Sequence, residues 1–414
     1  MSFISKLTER AVASQCTKYL STNDLYEKFQ SAYRPGHSTE TALMRVTNDI
    51  HRDMDQQKVI LLVLLDLSAA FDTVDHGLLL DRLQEIGIKD KCLSWFSSYL
   101  SERTQSVTIS NTTSSPRALK YGVPQGSVLG PILFSVYTTP LGIVIRTHEF
   151  DFHIYADDTQ LYIRVVPRQQ TIDNMVQKLE SCIGDIRLWM LKNLLKLNDI
   201  KTEFLILGYY RQLFKFTLSD ITVGTDIVHR SQNARNLGVM LDENMSMDSQ
   251  VSSVVKSVNW QLYNINKIRK YLTNDSCKTL VNAFVTSRLD SNNALLAGIP
   301  DYQLRRLQLL QNTAAKIISC KSQYDHVTPL LKSLHWLPVE YRIQYKLSLM
   351  VFKCLHGLAP SYLCELVNKR QPCRYSLRSS TIPENTLEIP KTKRNMGDKA
   401  FSVAGPRAWN KLPH

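Results

Sequence analysis

Residues 59–66 read VILLVLLD, an uninterrupted apolar run that ends in the acid Asp66. An apolar run without alternation is typical of a strand that is buried on both faces of a sheet. An acid directly after such a strand leaves the core where solvent and ligands begin. The run therefore predicts a central strand that delivers one carboxylate to the edge of a site.

A second acidic site, the doublet Asp157-Asp158, follows about ninety residues later, between the strand-like stretches 152–154 and 161–163. Acids at the tip of a hairpin are ordinary turn residues, so a turn plus an unrelated exposed Asp66 is the simplest alternative. Three carboxylates brought together would repel one another unless a hard divalent cation lay between them. The spacing thus makes the three acids candidate metal ligands.

Six short segments around these acids follow one another in a definite order. They are 34–39 (RPGHST), 66–72 (DLSAAFD), 122–127 (GVPQGS), 155–158 (YADD), 197–203 (LNDIKTE) and 237–239 (LGV). Each segment alone is weak, because turns and loops use the same residues. Together, in this order, they resemble the reverse transcriptase of LINE-type (non-LTR) retrotransposons, and the resemblance spans nearly the whole chain.

The resemblance implies a polymerase that copies RNA into DNA with two metal ions. Asp66, Asp157 and Asp158, with the backbone carbonyl of Leu67, would hold two Mg²⁺ ions, with Mn²⁺ as the alternative. The ions would activate the 3′-hydroxyl of a primer and neutralise the leaving pyrophosphate. Lys201 would approach the triphosphate and protonate the pyrophosphate, although an ordinary surface lysine is the alternative interpretation.

The same resemblance implies a nucleotide pocket. Phe71, five residues after Asp66, would lie under the sugar and exclude a ribose 2′-hydroxyl. By its sequence context alone, a Phe after two alanines is more often a core residue. Gln125 and Gly126 would shape the pocket around the incoming base pair, and Arg34 would contact the triphosphate.

We expect an α/β fold of the right-hand polymerase type, with palm and fingers followed by a helical thumb and a basic C-terminal region. The expected domains are 1–244 (fingers and palm), 245–330 (helical, thumb-like) and 331–414 (basic and helical, with a flexible tail after Pro372). Leu237 and Gly238, at the end of the first domain, would form the primer grip, with Gly238 allowing a tight hairpin.

The family's first fingers motif is clipped at Met1 and no endonuclease segment is visible, so we expect a fragment of a longer element. A catalytically silent nucleic-acid-binding remnant is therefore the rival of an active enzyme. The intact acids favour the enzyme, and the clipped fingers favour the remnant.

The charge is distributed unevenly along the chain. Residues 1–250 contain 26 basic and 28 acidic side chains, a net charge of −2, whereas residues 251–414 contain 24 and 9, a net charge of +15. A basic surface gains affinity for a phosphate backbone by releasing counterions, although a solvated basic face without a partner is the alternative. We expect an RNA template, a DNA primer and deoxynucleoside triphosphates as partners, and the oligomeric state is left open.

Targeting signals are absent from the sequence as it stands. The longest apolar run, 59–65, is too short to span a bilayer, and residues 1–6 lack the apolar stretch of a signal peptide. The eight cysteines are scattered without a Cys-x-x-Cys pair, which favours reduced thiols. We expect an intracellular protein of the cytoplasm or nucleus that is neither secreted nor embedded in a membrane.

Overall fold

The computed structural model describes residues 3–413 except 69, 125, 167–168, 215, 217, 219, 225, 323 and 371–385. The strands are β1 (Val59–Leu65), β2 (Leu67–Ser68), β3 (Thr104–Gln105), β4 (Thr108–Ile109), β5 (Thr112–Thr113), β6 (Arg117–Ala118), β7 (Asp151–Tyr155), β8 (Asp158–Val165), β9 (Lys196–Leu197), β10 (Glu203–Leu207), β11 (Asp220–Val223), β12 (Asp226–His229), β13 (Asn233–Asn236) and β14 (Val239–Asp242). The helices are α1 (Phe3–Thr22), α2 (Thr39–Asp55), α3 (His76–Glu85), α4 (Asp90–Leu100), α5 (Gly130–Thr138), α6 (Leu141–Thr147), α7 (Gln169–Lys192), α8 (Tyr210–Leu213), α9 (Asp248–Ile268), α10 (Asn274–Val281), α11 (Ser287–Asp290), α12 (Asp301–Ile318), α13 (Thr328–Ser333), α14 (Val339–Leu355), α15 (Ser361–Cys364), α16 (Asn395–Asp398) and α17 (Phe401–Trp409). Among these helices, none is both long enough and apolar enough to cross a membrane.

β1 is an inner strand of a four-stranded antiparallel sheet in the order β10–β1–β8–β7. Its side chains alternate between two cores. Val59, Leu61 and Val63 belong to the first core, whereas Ile60 and Leu62 belong to the second. These five side chains are at most 1% exposed, so the prediction of an inner strand buried on both faces is confirmed.

The first core lies between one face of the sheet and helices α1 and α3 to α7. α3 shows how the sequence sets the limits of these helices. Asp75 is its N-cap, accepting a hydrogen bond from Leu78 N at 2.9 Å, and Gly87, with a φ of +94°, follows its end. These helices cover the face of β1 opposite to α2.

The second core joins the other face of the sheet to the C-terminal half of the chain. α2 lies against the sheet, and α9, α12, α14 and α17 continue the same apolar packing. The change to helices predicted beyond residue 245 is confirmed by α9 to α12 and α14. The packing runs across the expected domain limits at 244 and 330, so these limits stay predictions about the sequence and do not separate cores.

The prediction of a flexible tail after Pro372 is wrong for residues 386–413, which fold back onto α2 and α14. Phe401 and Val403 of α17 are 4% and 0% exposed. The segment is polar on average, and its few apolar residues find partners far away in the sequence, which local composition cannot reveal. Residues 371–385 lie outside the described part of the chain.

Asp55 at the end of α2 anchors this returning segment. Its carboxylate accepts hydrogen bonds from the backbone N–H of Lys393 at 3.0 Å and of Arg394 at 2.7 Å. Hydrogen bonds to a charged acceptor are among the stronger polar contacts in proteins. The last helices are thereby fixed to the same helix that covers the sheet.

Candidate active site

Asp66 lies where β1 gives way to β2. β2 pairs with β9, which sets Leu67 opposite Leu197, and Asn198 N donates a hydrogen bond to Asp66 O at 2.9 Å. The turn after β9 carries Lys201, whose Nζ lies 3.0 Å from Asp66 Oδ2. Because these two short strands pair, two motifs that are far apart in the sequence meet at the end of β1.

Asp157 and Asp158 lie at the turn of the β7–β8 hairpin. β8 also pairs with β1, and in that register Thr159 is opposite Leu65. The next positions outward on the two strands are Asp158 and Asp66. The register therefore brings these two acids side by side at the edge of the sheet, as their sequence context predicted.

Gln30 holds the hairpin turn from outside. Ala156 has a φ of +58°, a left-handed conformation that costs an L-residue about 1–2 kcal/mol. Gln30 Oε1 accepts a hydrogen bond from Ala156 N at 3.1 Å, and its Nε2 donates to Ala156 O at 3.4 Å. Because Gln30 is only 2% exposed, its amide fixes the residue that precedes Asp157.

The acids and Lys201 interact through their charges. Burial raises the pKa of Asp157, and the charge of Asp66 raises it further. Partial desolvation, and then the charges of Asp157 and Asp66, raise the pKa of Asp158 to about 6. The pKa of Lys201 is raised, first by its contact with Asp66 and then by the charge of the same carboxylate. The cluster has an excess of negative charge, which a cation would relieve.

A pocket of about 230 Å³ opens at this cluster, with Asp66, Asp158, Lys201, Glu203 and Leu237 in its wall. Four of these five residues were predicted from the sequence, and Glu203 was not singled out. The pocket unites the end of β1, the β7–β8 hairpin, the turn after β9 and the β13–β14 hairpin. It is the place in the described structure where four separate motifs converge.

The β13–β14 hairpin turns at Leu237 and Gly238, with φ values of +45° and +87°. The tight hairpin predicted at Gly238 is therefore present, and a glycine suits the second of these angles. Asn236 Nδ2 donates a hydrogen bond to Gln160 Oε1 at 2.9 Å, and both residues are buried. This bond fastens the hairpin to β8, while contact of the turn with a primer stays a prediction.

The donor set at the pocket suits a hard divalent cation. Carboxylate oxygens are the ligands that Mg²⁺ prefers, and Asp66 Oδ2 is buried with the Lys201 ammonium as its near neighbour. As the side chains lie, no three His, Cys, Asp or Glu residues of the described chain are close enough together to hold an ion. Lys201 pairs with Asp66 in this arrangement. A metal-ligand set of Asp66, Asp157, Asp158 and the Leu67 carbonyl therefore stays a prediction.

Phe71 is half-buried and packs against the first core. Its ring stacks on Phe134 with centroids 4.6 Å apart and meets Tyr33 edge-on at 6.4 Å. Burial raises the pKa of the Tyr33 phenol, and the charge of the nearby Asp157 in the β7–β8 turn raises it further. The position suits both a core residue and a residue beside a bound sugar, so the second role stays a prediction.

The segment 122–127 is bound to the loop that carries Phe71. Val123 N donates a hydrogen bond to Phe71 O at 2.9 Å. Gly122 has a φ of +87°, and a Cβ there would lie 2.9 Å from a backbone oxygen of that loop, so only glycine fits. Gly126, with a φ of +76°, faces open space, and Gln125 lies outside the described residues.

Arg34 is not among the residues that line the pocket. Its Nη1 donates hydrogen bonds to Glu27 O and Gln30 O, both at 2.9 Å, and its guanidinium lies 4.5 Å from the ring centre of Tyr26. Burial lowers its pKa. The side chain braces the loop that carries Gln30, and its contact with a triphosphate stays a prediction.

Sequence reasoning missed Gln30 and Tyr33, which stand just before Arg34. Residues 29–32 (FQSA) do not alternate between apolar and polar side chains, so the sequence offered no strand signal here. The structure pairs this segment with β7, since Ile154 N donates to Phe29 O at 2.8 Å. Residues 29–32 thus carry a contact to the β7–β8 turn that the sequence motif alone did not disclose.

Comparisons with known proteins show which chains this one is similar to. A family model described as "Reverse transcriptase (RNA-dependent DNA polymerase)" matches residues 1–241. The chain is 27% identical over 368 residues to the probable RNA-directed DNA polymerase from transposon BS of Drosophila melanogaster, covering 83% of this chain and 38% of the relative. It is 25% identical over 280 residues to the RNA-directed DNA polymerase from mobile element jockey of Drosophila funebris, covering 64% and 29%. Apo telomerase from Candida tropicalis aligns with a TM-score of 0.41 and 12% identity, over 87% of this chain and 61% of that one. The chain thus spans well under half the length of these two curated relatives.

Proposed function

The chain belongs to the reverse transcriptase (RNA-dependent DNA polymerase) family, in its LINE-type branch, and from this premise we propose that it is an RNA-directed DNA polymerase. Its α/β polymerase fold is that of the family, as the sequence predicted. The proposed reaction transfers a deoxynucleotide from its triphosphate to the 3′-hydroxyl of a DNA primer on an RNA template. The observation that carries the proposal is the strand register that sets Asp158 beside Asp66, with Lys201 in the same pocket.

The family uses divalent metal ions, and we infer Mg²⁺, with Mn²⁺ as the alternative. Asp66, Asp157, Asp158 and the Leu67 carbonyl would hold the ions, which supply positive charge that acidifies the primer hydroxyl and neutralises the pyrophosphate. Lys201 is protonated at neutral pH as any ordinary lysine is, and its contact with Asp66 raises its pKa further. Once released from Asp66, its ammonium is able to pair with the pyrophosphate or give it a proton.

The nucleotide would enter past the loop that carries Phe71. In this proposal Phe71 limits the space beside the sugar, and its contact with Tyr33 supports a position near Asp157. Gln125 and Gly126 would border the base pair because their segment is bonded to the same loop. Arg34 would act from the fingers side, where its contacts with backbone carbonyls favour an indirect role in shaping the loop.

The nucleic acid would reach the pocket across the β13–β14 hairpin and the basic half of the chain. Leu237 and Gly238 form a turn beside the acids, which suits a grip on the primer terminus. The family binds a nucleic-acid template, and the net charge of +15 on residues 251–414 supports contact with its backbone. An RNA template and a DNA primer are the partners we propose.

The direct test is primer extension by the purified chain on an RNA template with deoxynucleoside triphosphates and Mg²⁺. Asp157→Asn keeps the shape of the side chain and removes its charge, so extension should fall on the order of a thousandfold or more. Asp275→Asn is the matched control, because the Asp275 side chain is 92% exposed on α10. This control should extend primers like the parent chain.

The outcomes separate the enzyme from its rival. Extension that requires a divalent cation and is lost in Asp157→Asn supports the proposal. Full activity of Asp157→Asn contradicts the assignment of the acids. A folded parent chain that binds a primer–template duplex without extending it identifies a silent nucleic-acid-binding remnant.

A further inference from the structure

The segment 355–365 (LHGLAPSYLCE) lies downstream of every polymerase motif and has no role in the reaction described so far. It docks against the region that precedes the catalytic strands. Arg45 Nη1 of α2 donates a hydrogen bond to Tyr362 O at 3.0 Å, and Lys28 Nζ lies 2.6 Å from Glu365 Oε1. Tyr362 itself is 0% exposed, so the segment inserts a tyrosine between the two halves of the chain.

The Tyr362 hydroxyl belongs to a buried row of hydrogen bonds. Its oxygen lies 2.7 Å from Ser31 Oγ and 3.2 Å from Thr41 Oγ1. Ser31 Oγ lies 2.8 Å from His153 Nε2, and Thr41 Oγ1 donates to Ser38 O at 2.9 Å. The row therefore runs from β7, through the inserted tyrosine, to the first turn of α2.

Counting protons fixes the direction of this row. Ser38 O is a carbonyl and only accepts, so Thr41 gives it its proton, and Tyr362 must donate to Thr41. Ser31 then donates to Tyr362, and His153 Nε2–H donates to Ser31. Burial lowers the pKa of His153 to about 3, which keeps the ring neutral with a single proton at Nε2. In this arrangement each of the four contacts is a hydrogen bond with one donor and one acceptor.

The row leads to the catalytic turn through the segment that contains Ser31. Ser31 N donates a hydrogen bond to Ile154 O of β7 at 3.0 Å. The neighbouring Gln30 holds both backbone polar groups of Ala156, the residue before Asp157. A displacement of Ser31 would therefore reach Asp157 by two routes. One is the hydrogen bond from Ser31 N to Ile154 O, and the other is the pair of bonds between Gln30 and Ala156.

We propose that Tyr362 is a positioning residue for the polymerase reaction, which acts through Ser31 and His153 to hold the turn that carries Asp157. The inference rests on the proposed function, because Tyr362 is proposed to position a group that takes part in the polymerase reaction. It makes the segment downstream of the polymerase motifs a part of the active-site scaffold. If Tyr362 only filled space, its hydroxyl would be dispensable.

Tyr362→Phe tests this distinction, because it keeps the ring and removes only the hydroxyl. We expect kcat for primer extension to fall by about 10- to 100-fold, the scale of a small misplacement of a catalytic group. The KM for the nucleotide should stay within about twofold, because Tyr362 does not line the pocket. An unchanged kcat would overturn the proposal.

Two further variants separate positioning from stability. Val403→Ala truncates a side chain of α17 that is 0% exposed, so it should lower the unfolding temperature while kcat at 25 °C stays at the parent value. Ser31→Ala cuts the row at its middle, so the double variant Ser31→Ala/Tyr362→Phe should be no slower than the slower single variant. Multiplied losses in the double variant, or an equal loss of kcat in Val403→Ala, would refute the row as a unit.

Hydrogen–deuterium exchange of the peptide that contains residues 150–158 keeps the inference testable apart from activity. Tyr362→Phe should speed exchange of this peptide, whereas Val403→Ala should leave it at the parent rate in native conditions. If the parent chain is inactive but Tyr362→Phe still speeds exchange, the proposed function fails and the mechanical link stands. If the parent chain is active and the exchange of both variants matches it, the link fails and the function stands.

Discussion

Acid should weaken this protein through His51, and the amount can be worked out from its burial. His51 lies on the face of α2 that packs into the second core, is 4% exposed, and has no hydrogen-bond partner on either ring nitrogen within the described structure. Burial, and then the nearby charge of Lys399, lower its pKa from 6.5 to about 3. A base whose folded pKa is depressed contributes stability above its unfolded pKa and loses it as the pH falls.

The expected loss follows from the difference between the folded and unfolded pKa. At pH 5 the unfolded chain binds a proton at His51 and the folded chain does not, which lowers the free energy of unfolding by about 2 kcal/mol relative to pH 7. His153, whose pKa is lowered to about 3 by burial, should contribute a loss of similar size. The parent chain should therefore lose roughly 4 kcal/mol from these two side chains between pH 7 and pH 5.

His51→Leu removes one of the two contributions at nearly constant volume. Urea unfolding at pH 7 and pH 5 should show that this variant loses about 2 kcal/mol less than the parent chain on acidification. The same exchange at the exposed His326 should leave the parent's acid loss unchanged. An equal acid loss in the parent chain and in His51→Leu would refute the argument from burial.

Two further predictions concern the nucleotide and the nucleic acid. Phe71→Ala should lower discrimination against ribonucleotides by roughly 10- to 200-fold, the worth of one steric contact, in single-nucleotide extension; an unchanged ratio would make Phe71 a core residue only. Because the second core joins both halves of the chain, charge removal is a cleaner test of the basic half than truncation. The exposed Lys256 and Lys267 lie on α9. Changing both to Gln should reduce the slope of log K against log salt concentration for duplex binding by about one unit per lysine. Lys91→Gln on α4 should leave this slope at the parent value. Identical slopes for the parent chain, the α9 double variant and Lys91→Gln would exclude α9 from the nucleic-acid interface.

Patterns that depend on neighbours in the sequence were predictable. The run ending at Asp66 gave its strand limits directly, because a strand buried on both faces needs apolar residues at every position. The meeting of Asp66 with Asp157-Asp158 was predictable only from the order of motifs, since strand register is a tertiary property. Phe71 and Lys201 were singled out by the resemblance of their segments to the family, and their roles stay predictions.

Contacts between distant parts of the chain were not predictable in this way. Tyr362 was unassigned because its partners lie more than 300 residues upstream, as the 331-residue separation from Ser31 illustrates. The return of residues 386–413 was missed because a polar segment with few apolar anchors has the composition of a tail. The resemblance to the family implied a triphosphate contact for Arg34, and here its Nη1 donates to two backbone carbonyls of its own loop.

The bond between Asp55 and the backbone of Lys393, which spans 338 positions, has a consequence for synthesis on the ribosome. α2 emerges early, but helices that cover its outer side, α16 and α17, are made only near residue 400. Until then the second core lacks Phe401 and the helix that carries it, so the nascent chain exposes apolar side chains of that core, a state that is prone to aggregation and is a substrate for chaperones. Such long sequence separation also slows folding, because the ends of a very large loop must meet before the contact contributes. A ribosome that stops early would therefore release a chain that contains every polymerase motif but lacks the cover of its second core.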